Sequence, residues 1–509
     1  MPTVHISISG DVARILKSVP TDIEALLKRR LGYYINAWLP VTDVNGRPIY
    51  RNGKQVRKPE QILRTKYRYL DRTFPAGMIH RAAKVFHNRG WQVKILDKRP
   101  KASVNEGVVL AKLVDIPITL RFYQIHAVAK GLLTPHLIFH MATGTGKTVV
   151  FGALVKLIGL KTLIIINRTD LLKQHYDSLC EILGSDDVSI IQGKFFRPDA
   201  IVNIAMTQTI HTKLKPGNPL SYKMRKYLST VQYLVADECH HSQSTTWKQI
   251  FRNCKNTLYR HSFSGSPWDQ ATENIELEAV SGPILFKYTT SNAIEDGYLS
   301  RPIITFHNYP HNNDYYDGSH MQSVYTDLIA NNKDRNSAIA KIAKHEYMTT
   351  TNKMLIVVQR IIHGHIIAQA LRSAGIPDHE IGYLHGAKGR IVRETGRKKF
   401  EAGVIRIMIV SNIWNEGIDI PSCDVLIKAD SYGGGDDVNE GEGVRSLVQQ
   451  IGRVLRKPIS EETGEIDIKK EHFVYVHDFI DKQHKFVHNW TDNRIKTCRQ
   501  EKAFRINIE

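Results

Sequence analysis

A glycine-rich turn between an apolar run and a helix-forming stretch is the first feature of this sequence that could do chemistry. Gly144 and Gly146 would let the backbone curl so that its N–H groups converge on a triphosphate, aided by the positive end of the following helix dipole. Lys147 would reach the β- and γ-phosphates, and the Thr148 hydroxyl would ligate Mg²⁺. Met141 departs from the small residue usual at the first position, and a purely structural turn is the alternative. The predicted cradle consists of Thr143, Gly144, Thr145, Gly146, Lys147 and Thr148.

An acidic pair follows a second apolar run further along the chain. Asp237 and Glu238 come directly after Val231–Ala236, which has the composition of a buried strand. Beside a phosphate loop, Asp237 would hold Mg²⁺ through water, and Glu238 would orient and deprotonate the attacking water. Gln124, a planar amide just upstream of the loop, is a candidate for reading an adenine edge. These residues together predict a site for ATP and Mg²⁺.

Two arginines near the end of the chain could complete such a site. Arg453 and Arg456 are three residues apart within a helix-forming stretch, so a helix would place them on one face. Two guanidinium groups on one face suit the stabilisation of charge on a transferring γ-phosphoryl group from across a cleft. The alternative for the pair alone is a surface salt-bridge pair.

Short apolar runs alternate with helix-forming segments through most of the chain. This alternation predicts α/β domains in which parallel strands carry their ligands at the carboxyl ends. The apolar runs fall into two series, so we predict two such domains, residues 116–295 and 296–509. A small α+β domain, residues 1–115, is expected to precede them.

Positive charge is concentrated in the first 115 residues. The chain has 70 Lys and Arg against 50 Asp and Glu, a net charge of +20, and the first 115 residues have 22 against 9, a net of +13. An excess of this size predicts a polyanionic partner, most simply nucleic acid, with a solvated basic surface as the alternative. Basic residues alternate with aromatic ones there, which suits phosphate contacts and base stacking, or else a basic face over core aromatics. The candidate nucleic-acid contacts are Arg64, Lys66, Arg68 and Arg72, with Thr207 and Gln208 after a later strand.

The cysteine pattern and the hydropathy indicate the environment. Five scattered cysteines form no CxxC pair, so neither a disulfide framework nor a zinc site is predicted. The N-terminus lacks the pattern of a signal peptide, and no apolar run reaches about 18 residues. We therefore expect a soluble, cytoplasmic protein without a membrane partner. The oligomeric state is left open, and a monomer is compatible with the sequence.

Five motifs in a fixed order resemble those of the superfamily 2 helicases and translocases. They are ATGTGKT, DECH, SGSP, GIDIP and QQIGRVLR, and the resemblance covers roughly residues 118 to 480. It implies two RecA-like domains with ATP between them. The further site residues that it implies are Arg121 for adenine, Gln449 beside the two arginines, and Gly417 with Asp419 in a motif that touches both ATP and the nucleic-acid backbone.

A closer resemblance is to the phage UvsW-like branch-migration helicases. It is carried by the segments Phe74–Met78, Ile361–Gly364 and Ile451–Lys457, and it is loose outside the motifs. It implies ATP-driven remodelling of DNA forks, Holliday junctions and displaced-strand loops.

Three other functions remain open at this point. The motor of a restriction system fits the same motifs, but the sequence has no convincing carboxylate-and-lysine nuclease cluster outside the motor. An RNA helicase would differ in which nucleic acid stimulates its ATPase. A non-catalytic nucleic-acid-binding scaffold would have no need of Lys147, Glu238 or Arg456.

Overall fold

The computed structural model describes most of the chain. The residues outside the described part are 41–49, 52–53, 56, 69, 100–115, 168, 194, 240–244, 266–270, 311–319, 412–422, 432–446, 449 and 459–465.

The N-terminal part is a four-stranded sheet with helices packed on one face. Apolar residues alternate along its first strand, so Val4, Ile6 and Ile8 point into a common core with the helices. The sheet order is β7-β2-β1-β8, and β3 pairs with β6 in a separate antiparallel hairpin. The elements are β1 (Thr3–Ser9), β2 (Val12–Ile15), α1 (Thr21–Arg30), β3 (Gly32–Pro40), β4 (Tyr50–Arg51), β5 (Lys54–Gln55), β6 (Arg57–Thr65), β7 (Thr73–Pro75), α2 (Ile79–His87) and β8 (Gln92–Asp97).

A seven-stranded sheet follows, in the order β11-β12-β10-β13-β14-β9-β15. Every residue of Thr162–Ile166 is buried, as expected for a strand that is covered on both faces in a parallel sheet. The elements are α3 (Phe122–Leu133), β9 (His136–Met141), α4 (Lys147–Ile158), β10 (Thr162–Ile166), α5 (Thr169–Leu183), β11 (Val188–Ile191), β12 (Val202–Met206), α6 (Thr207–Leu214), α7 (Ser221–Thr230), β13 (Tyr233–Ala236), α8 (Thr245–Asn253), β14 (Tyr259–Ser264), α9 (Ala271–Ser281) and β15 (Ile284–Tyr288).

The rest of the chain builds a second seven-stranded sheet, in the order β18-β19-β17-β20-β21-β16-β22. Its strands Met354–Val357, Ile407–Val410 and Val425–Lys428 are buried along their whole length, as Thr162–Ile166 is in the first sheet. The elements are α10 (Thr290–Glu295), β16 (Arg301–His307), α11 (Met321–Tyr325) with a π-helical turn (Thr326–Ala330), α12 (Lys333–Thr349), β17 (Met354–Val357), α13 (Ile361–Ser373), β18 (Ile381–Leu384), α14 (Arg390–Glu401), β19 (Ile407–Val410), β20 (Val425–Lys428), β21 (Phe473–Phe479), α15 (Lys485–Gln500) and β22 (Arg505–Ile508).

The two parallel sheets confirm the predicted α/β class. In the part of the chain that the structure describes, no helix is both long and apolar enough to cross a membrane. The predicted domain boundaries stay predictions, because residue contacts group the chain differently, into two compact units. The first unit comprises Met1–Phe139, Val150–Asn167 and Tyr176–Phe286, and the second comprises His140–Val149, Arg168–His175 and Lys287–Glu509.

The N-terminal sheet shares a core with α9 inside the first unit. Ile275 of α9 is buried among the apolar residues of the N-terminal sheet and helices. Two acidic residues of α9 also bind polar side chains of the N-terminal part. Glu276 accepts a hydrogen bond from the Tyr33 hydroxyl (3.0 Å) and forms an ion pair with Lys66. Glu278 accepts from Arg81 at 2.9 Å.

These ion pairs are partly buried, and their ionisation is favoured. Burial alone would raise the pKa of both carboxyl groups. Hydrogen bonds from Lys248 and Lys66 hold the pKa of Glu276 below its ordinary value, and those from Arg81 and His80 do the same for Glu278. The N-terminal part and α9 are therefore joined by apolar packing and by charge.

Gly77 offers a test of this junction. A Cβ at position 77 would lie 2.1 Å from the Glu278 carbonyl oxygen and 3.0 Å from the Gly282 nitrogen, both of them backbone atoms. Because neither can move freely, we expect Gly77→Ala to lower the free energy of unfolding by about 1–3 kcal/mol, measured by thermal and chemical denaturation. Gly386→Ala is the control, since a Cβ there meets nothing within 4 Å. Equal stability of the two variants would contradict the close junction.

Candidate nucleotide-binding site

The glycine-rich turn lies between buried strand β9 and helix α4, which begins at Lys147. Gly144 and Gly146 have φ angles of 82° and 75°, a left-handed conformation that costs little only for glycine. The buried hydroxyl of Thr145 donates a hydrogen bond of 2.7 Å to the Ala142 carbonyl oxygen and so closes the turn. The predicted strand, turn and helix are therefore formed, and Lys147 lies at the helix start.

Thr148 has a partner that the sequence did not reveal. Its hydroxyl oxygen lies 3.2 Å from Nδ1 of His175, a buried residue of α5. A hydroxyl that donates its proton to Nδ1 keeps both oxygen lone pairs for a cation. His175 is 27 residues away in sequence, and no motif connects the two.

The acidic pair lies at the carboxyl end of β13. The Asp237 backbone N–H donates to the Ile165 carbonyl oxygen (3.1 Å), which continues the pairing with β10, and the Asp237 side chain is buried. Glu238 has a φ of 50°, unfavourable for a non-glycine residue by roughly 1–2 kcal/mol. Its N–H donates to Asp237 Oδ1 at 2.9 Å. This local bond helps to hold the turn that ends the strand.

Gln124 and Arg121 form a local helix cap. Gln124 is buried, and its side-chain oxygen accepts a hydrogen bond of 2.9 Å from the Arg121 backbone N–H at the start of α3. The Arg121 guanidinium donates to the Tyr123 hydroxyl at 3.2 Å. Capping gives Gln124 a structural role, and adenine recognition by the two residues stays a prediction.

The prediction that Arg453 and Arg456 share one helical face is wrong. Helical residues end at Val454, and Arg456 lies beyond them in an isolated β-bridge with Leu299. The Ser300 N–H donates to the Leu455 carbonyl oxygen at 2.7 Å, so pairing with this extended segment ends the helix. The two arginines therefore start from different backbone conformations.

Arg456 nevertheless lies close to the glycine-rich turn within the second unit, which includes His140–Val149. A Cβ added at Gly144 would lie 3.4 Å from Arg456 Cγ and 3.3 Å from Leu299 Cδ2. A Cβ added at Gly452 would lie 3.3 Å from Thr143 Cβ. Small residues on both sides permit this approach.

Lys428 connects β20 to the helical residues that lead to the arginines. Its ammonium is fully buried and donates to Asp430 Oδ1 (2.8 Å) and to Gln450 Oε1 (2.7 Å). Gln450 precedes Arg453 by less than one helical turn, so Lys428 fixes the orientation of this segment. A lysine inside an otherwise apolar strand, followed by an aspartate, was the only sequence signal for it.

The remaining predicted site residues have mixed placements. Gln449, Gly417 and Asp419 lie outside the described residues, and their roles stay predictions. Thr207 is buried and donates to Gln208, which is exposed.

The basic candidates near residue 70 also differ from one another. Arg64 and Arg68 are exposed, and Arg68 lies 3.8 Å from Asp71. Lys66 is paired with Glu276. Arg72 is partly buried and has a φ of 52°.

These residues fit a nucleoside triphosphate with Mg²⁺. A left-handed turn ahead of a helix is a backbone form that binds phosphates through N–H groups, and hydroxyl and carboxylate oxygens are ligands that Mg²⁺ prefers. Among the described residues, no group of three or more His, Cys, Asp or Glu could hold a metal. Such an ion would therefore rely on Thr148, water and phosphate oxygens, with Asp237 behind a water. When bound, it would neutralise charge on the β- and γ-phosphates.

Two sequence-family models match the chain. "Type III restriction enzyme, res subunit" matches residues 117–267, and "Helicase conserved C-terminal domain" matches residues 335–458. The first match contains the turn and the acidic pair, and the second contains Lys428, Arg453 and Arg456.

Similar proteins include two archaeal ones. A putative DNA 3'-5' helicase Rad25 of Haloarcula marismortui is 23% identical over 352 residues, 67% of this chain and 51% of that protein. The DNA 3'-5' translocase XPB2 of Sulfurisphaera tokodaii is 23% identical over 390 residues, 69% of this chain and 81% of that protein. The match thus spans about half the length of the Haloarcula relative.

Solved structures also resemble this chain. A fragment of a putative HsdR subunit of a type I restriction enzyme from Vibrio vulnificus aligns with a TM-score of 0.56 at 16% identity, covering 88% of this chain and 76% of that one. T4 UvsW aligns with a TM-score of 0.45 at 18% identity, covering 100% of this chain and 99% of that one.

A glycine-rich turn between a buried strand and a helix, with an acidic pair after a strand of the same sheet, defines a phosphate-loop protein of the α/β class. The order of the sequence motifs and the two family matches identify the family within this class. The chain belongs to the superfamily 2 helicases.

The loop lysine and the strand-end glutamate give the first test of the site. Lys147→Ala removes the cation expected at the phosphates, and Glu238→Gln removes the expected base without changing side-chain size. We expect both variants to lose ATP turnover while DNA binding stays largely intact, measured by phosphate release and fluorescence anisotropy. Lys156→Ala on the exposed face of α4 is the control. Hydrolysis at the wild-type rate in either variant would overturn the assignment.

Arg456 gives a second test. Arg456→Ala should lower kcat about 10³-fold or more with a smaller change in nucleotide affinity, because an arginine finger stabilises charge in the transition state.

The Lys428 contacts give a related test. The charge-balanced variant Lys428→Met/Asp430→Asn leaves Arg456 in place but removes the donor to Gln450. We expect it to lower kcat by roughly tenfold with KM nearly unchanged.

The matched control for this test is Arg372→Gln/Asp378→Asn, a charge-balanced change of an exposed ion pair in the same unit. It should leave both constants unaltered. A Lys428→Met/Asp430→Asn variant that folds and keeps its full kcat would show that these contacts serve stability alone.

Proposed function

We propose that this protein is an ATP-dependent DNA helicase or translocase that remodels branched DNA during replication, recombination or repair. The proposal has three parts, which rest on different observations: ATP hydrolysis, DNA as the substrate, and branched DNA as the preferred form.

One arrangement carries the proposal of ATP hydrolysis. The left-handed glycines of the turn and the buried Asp237 follow strands β9 and β13 of one parallel sheet, which are separated only by β14. The carboxyl ends of parallel strands lie at one edge of a sheet, so the phosphate loop and the acidic pair belong to the same edge. A protein that only binds nucleic acid has no use for this combination.

Charge and similarity support DNA as the substrate. The net charge of +20 suits a polyanion, and the archaeal relatives are named as acting on DNA. A restriction motor is the second candidate, since the family model over 117–267 carries that name. RNA helicases are also among the similar proteins, so RNA belongs in the test.

The N-terminal part supports contact with duplex arms rather than stacking on single strands. Tyr67 and Phe74, two aromatic residues of the basic stretch, are buried in the N-terminal core and cannot stack on bases. Arg64 and Arg68 are exposed and available to phosphates. Because phosphate contacts carry no sequence information, such a surface suits arms of any sequence near a junction.

The N-terminal part cannot be deleted without disturbing its junction with α9. Removing the first 112 residues would uncover Ile275 and leave Glu276 and Glu278 without their N-terminal partners, so a deletion would confuse folding with DNA contact. Substitutions at exposed arginines avoid this problem.

The decisive experiment compares ATPase stimulation by single-stranded, duplex, forked and four-way DNA and by RNA, together with migration of a four-way junction. We expect the wild type to prefer branched DNA. Arg64→Gln/Arg68→Gln should weaken junction binding regardless of sequence and flatten its salt dependence by roughly 0.9 log units per lost duplex phosphate contact. Its ATPase on single strands should be unchanged.

Lys333→Gln/Lys341→Gln, exposed on α12, is the control with the same change of charge. Stronger stimulation by RNA than by any DNA would refute the substrate. Normal junction migration by Arg64→Gln/Arg68→Gln, with an unchanged salt slope, would remove the role of the N-terminal arginines.

A further inference from the structure

An open cleft lies inside the first unit, on the side of its large sheet away from the phosphate loop. Its volume is about 680 Å³. One wall is the β1–β2 turn and the residues after β8, and the other wall is formed by segments that precede β9, β13 and β14. Since these strands are parallel, their amino ends are about 15–20 Å from the edge that carries the loop and the acidic pair. A ligand in this cleft would not compete with a nucleotide.

The lining carries an excess of positive charge. Lys98 and Arg99 lie on the N-terminal wall and Lys255 on the other wall, whereas Asp11 is the only acidic residue among the described residues that line the cleft. Asp11 is already paired with the buried Arg260 at 2.9 Å. The cleft therefore presents cations from both walls to a ligand.

Among these cations, the two lysines have no ion pair in the described part of the chain. Lys98 and Lys255 are both exposed. Arg99 is paired with Asp97 at 2.6 Å and lies 3.3 Å from Nδ1 of His136. Burial, with the charges of Arg260 and Arg99, lowers the pKa of His136 well below its ordinary value, so this imidazole stays neutral. The lysines are the groups that a ligand could engage.

The carboxyl end of α7 faces the same cleft, and helix carbonyl groups would repel an anion. Here they are covered by side-chain donors. The Ser229 and Thr230 hydroxyls donate to the Lys226 and Tyr227 carbonyl oxygens, each at 2.7 Å, and the Asn256 amide donates to the Ser229 carbonyl oxygen at 2.8 Å. The negative end of the helix is thus screened from the cleft by neutral polar groups.

We propose that this cleft binds the phosphate backbone of a duplex DNA arm, as a second DNA site on the edge opposite the nucleotide site. The inference rests on the proposed DNA function and assigns a contact that Arg64 and Arg68 do not supply. Two exposed lysines on different walls of an open cleft, neither with an ion pair among the described residues, suit contact with the phosphates of an extended polyanion. A free nucleotide has the same phosphate chemistry, and the test must separate the two.

The test reverses the charge on both walls. Lys98→Glu/Lys255→Glu should weaken binding of a short duplex at least about tenfold and flatten its salt dependence by roughly 1.8 log units, two contacts' worth. Single-strand-stimulated ATPase should be unchanged. The milder Lys98→Gln/Lys255→Gln, checked by thermal denaturation, should give a smaller loss in the same direction and guards against misfolding.

Lys130→Glu/Lys156→Glu is the matched control, because it makes the same change of charge at two exposed helix residues that do not line the cleft. If the cleft variants bind duplex as this control does, the site is wrong. Calorimetric titration of dTMP with the nucleotide site saturated separates the ligand sources. We expect no binding, and binding that Lys98→Glu/Lys255→Glu abolishes would identify a nucleotide site instead. A wild type that binds no DNA would refute the proposed function itself.

Discussion

The left-handed turn at Gly144 and Gly146 is the constraint on which the candidate site depends. The chain leaves a buried strand at Met141 and must start a helix at Lys147. Two positive φ angles make this possible, and Thr145 closes the turn from inside. Gly144 also leaves room for Leu299 and Arg456, so both the backbone conformation and the packing favour a residue without a side chain at this position. Any larger residue at position 144 would have an unfavourable φ angle and would also crowd Leu299 and Arg456.

The second sheet is held at its strand ends by buried charges. Arg335 donates to Asp481 Oδ1 (2.9 Å) and to the Ala429 carbonyl oxygen (2.7 Å), and Arg494 donates to Asp478 Oδ2 (2.9 Å). Burial opposes ionisation, yet Arg335 and Arg494 hold the pKa of Asp481 below its ordinary value. Buried ion pairs of this kind add little net stability because desolvation offsets the attraction. Their effect here is positional, since they fix the backbone after β20, next to the Lys428 contacts.

Local patterns explain which parts of this structure could be predicted from the sequence. Buried parallel strands such as Thr162–Ile166 and Ile407–Val410 are mostly apolar, and a phosphate loop is a short contiguous motif, so a few neighbouring residues are enough to predict either. The end of the helix before Arg456 is different, because a bridge to Leu299, more than 150 residues earlier, ends it. The sequence predicts a phosphate contact for Lys66, because its ion-pair partner Glu276 is 210 residues away and no local pattern connects the two. The pairing of Thr148 with His175 was likewise beyond any local pattern.

The strand direction of the first large sheet separates the cationic cleft from the candidate nucleotide site. Strand β9 starts at His136, beside the cationic cleft, and ends before the glycine-rich turn, and β13 likewise runs from beside the cleft to Asp237. Parallel strands cannot bring their two ends to one edge, so a ligand at the amino ends and a nucleotide at the carboxyl ends stay apart. The N-terminal sheet packs on α9, which follows β14, and also forms one wall of the cleft. Its positive charge is therefore fixed to the sheet that carries the acidic pair, and it cannot be treated as a mobile basic arm.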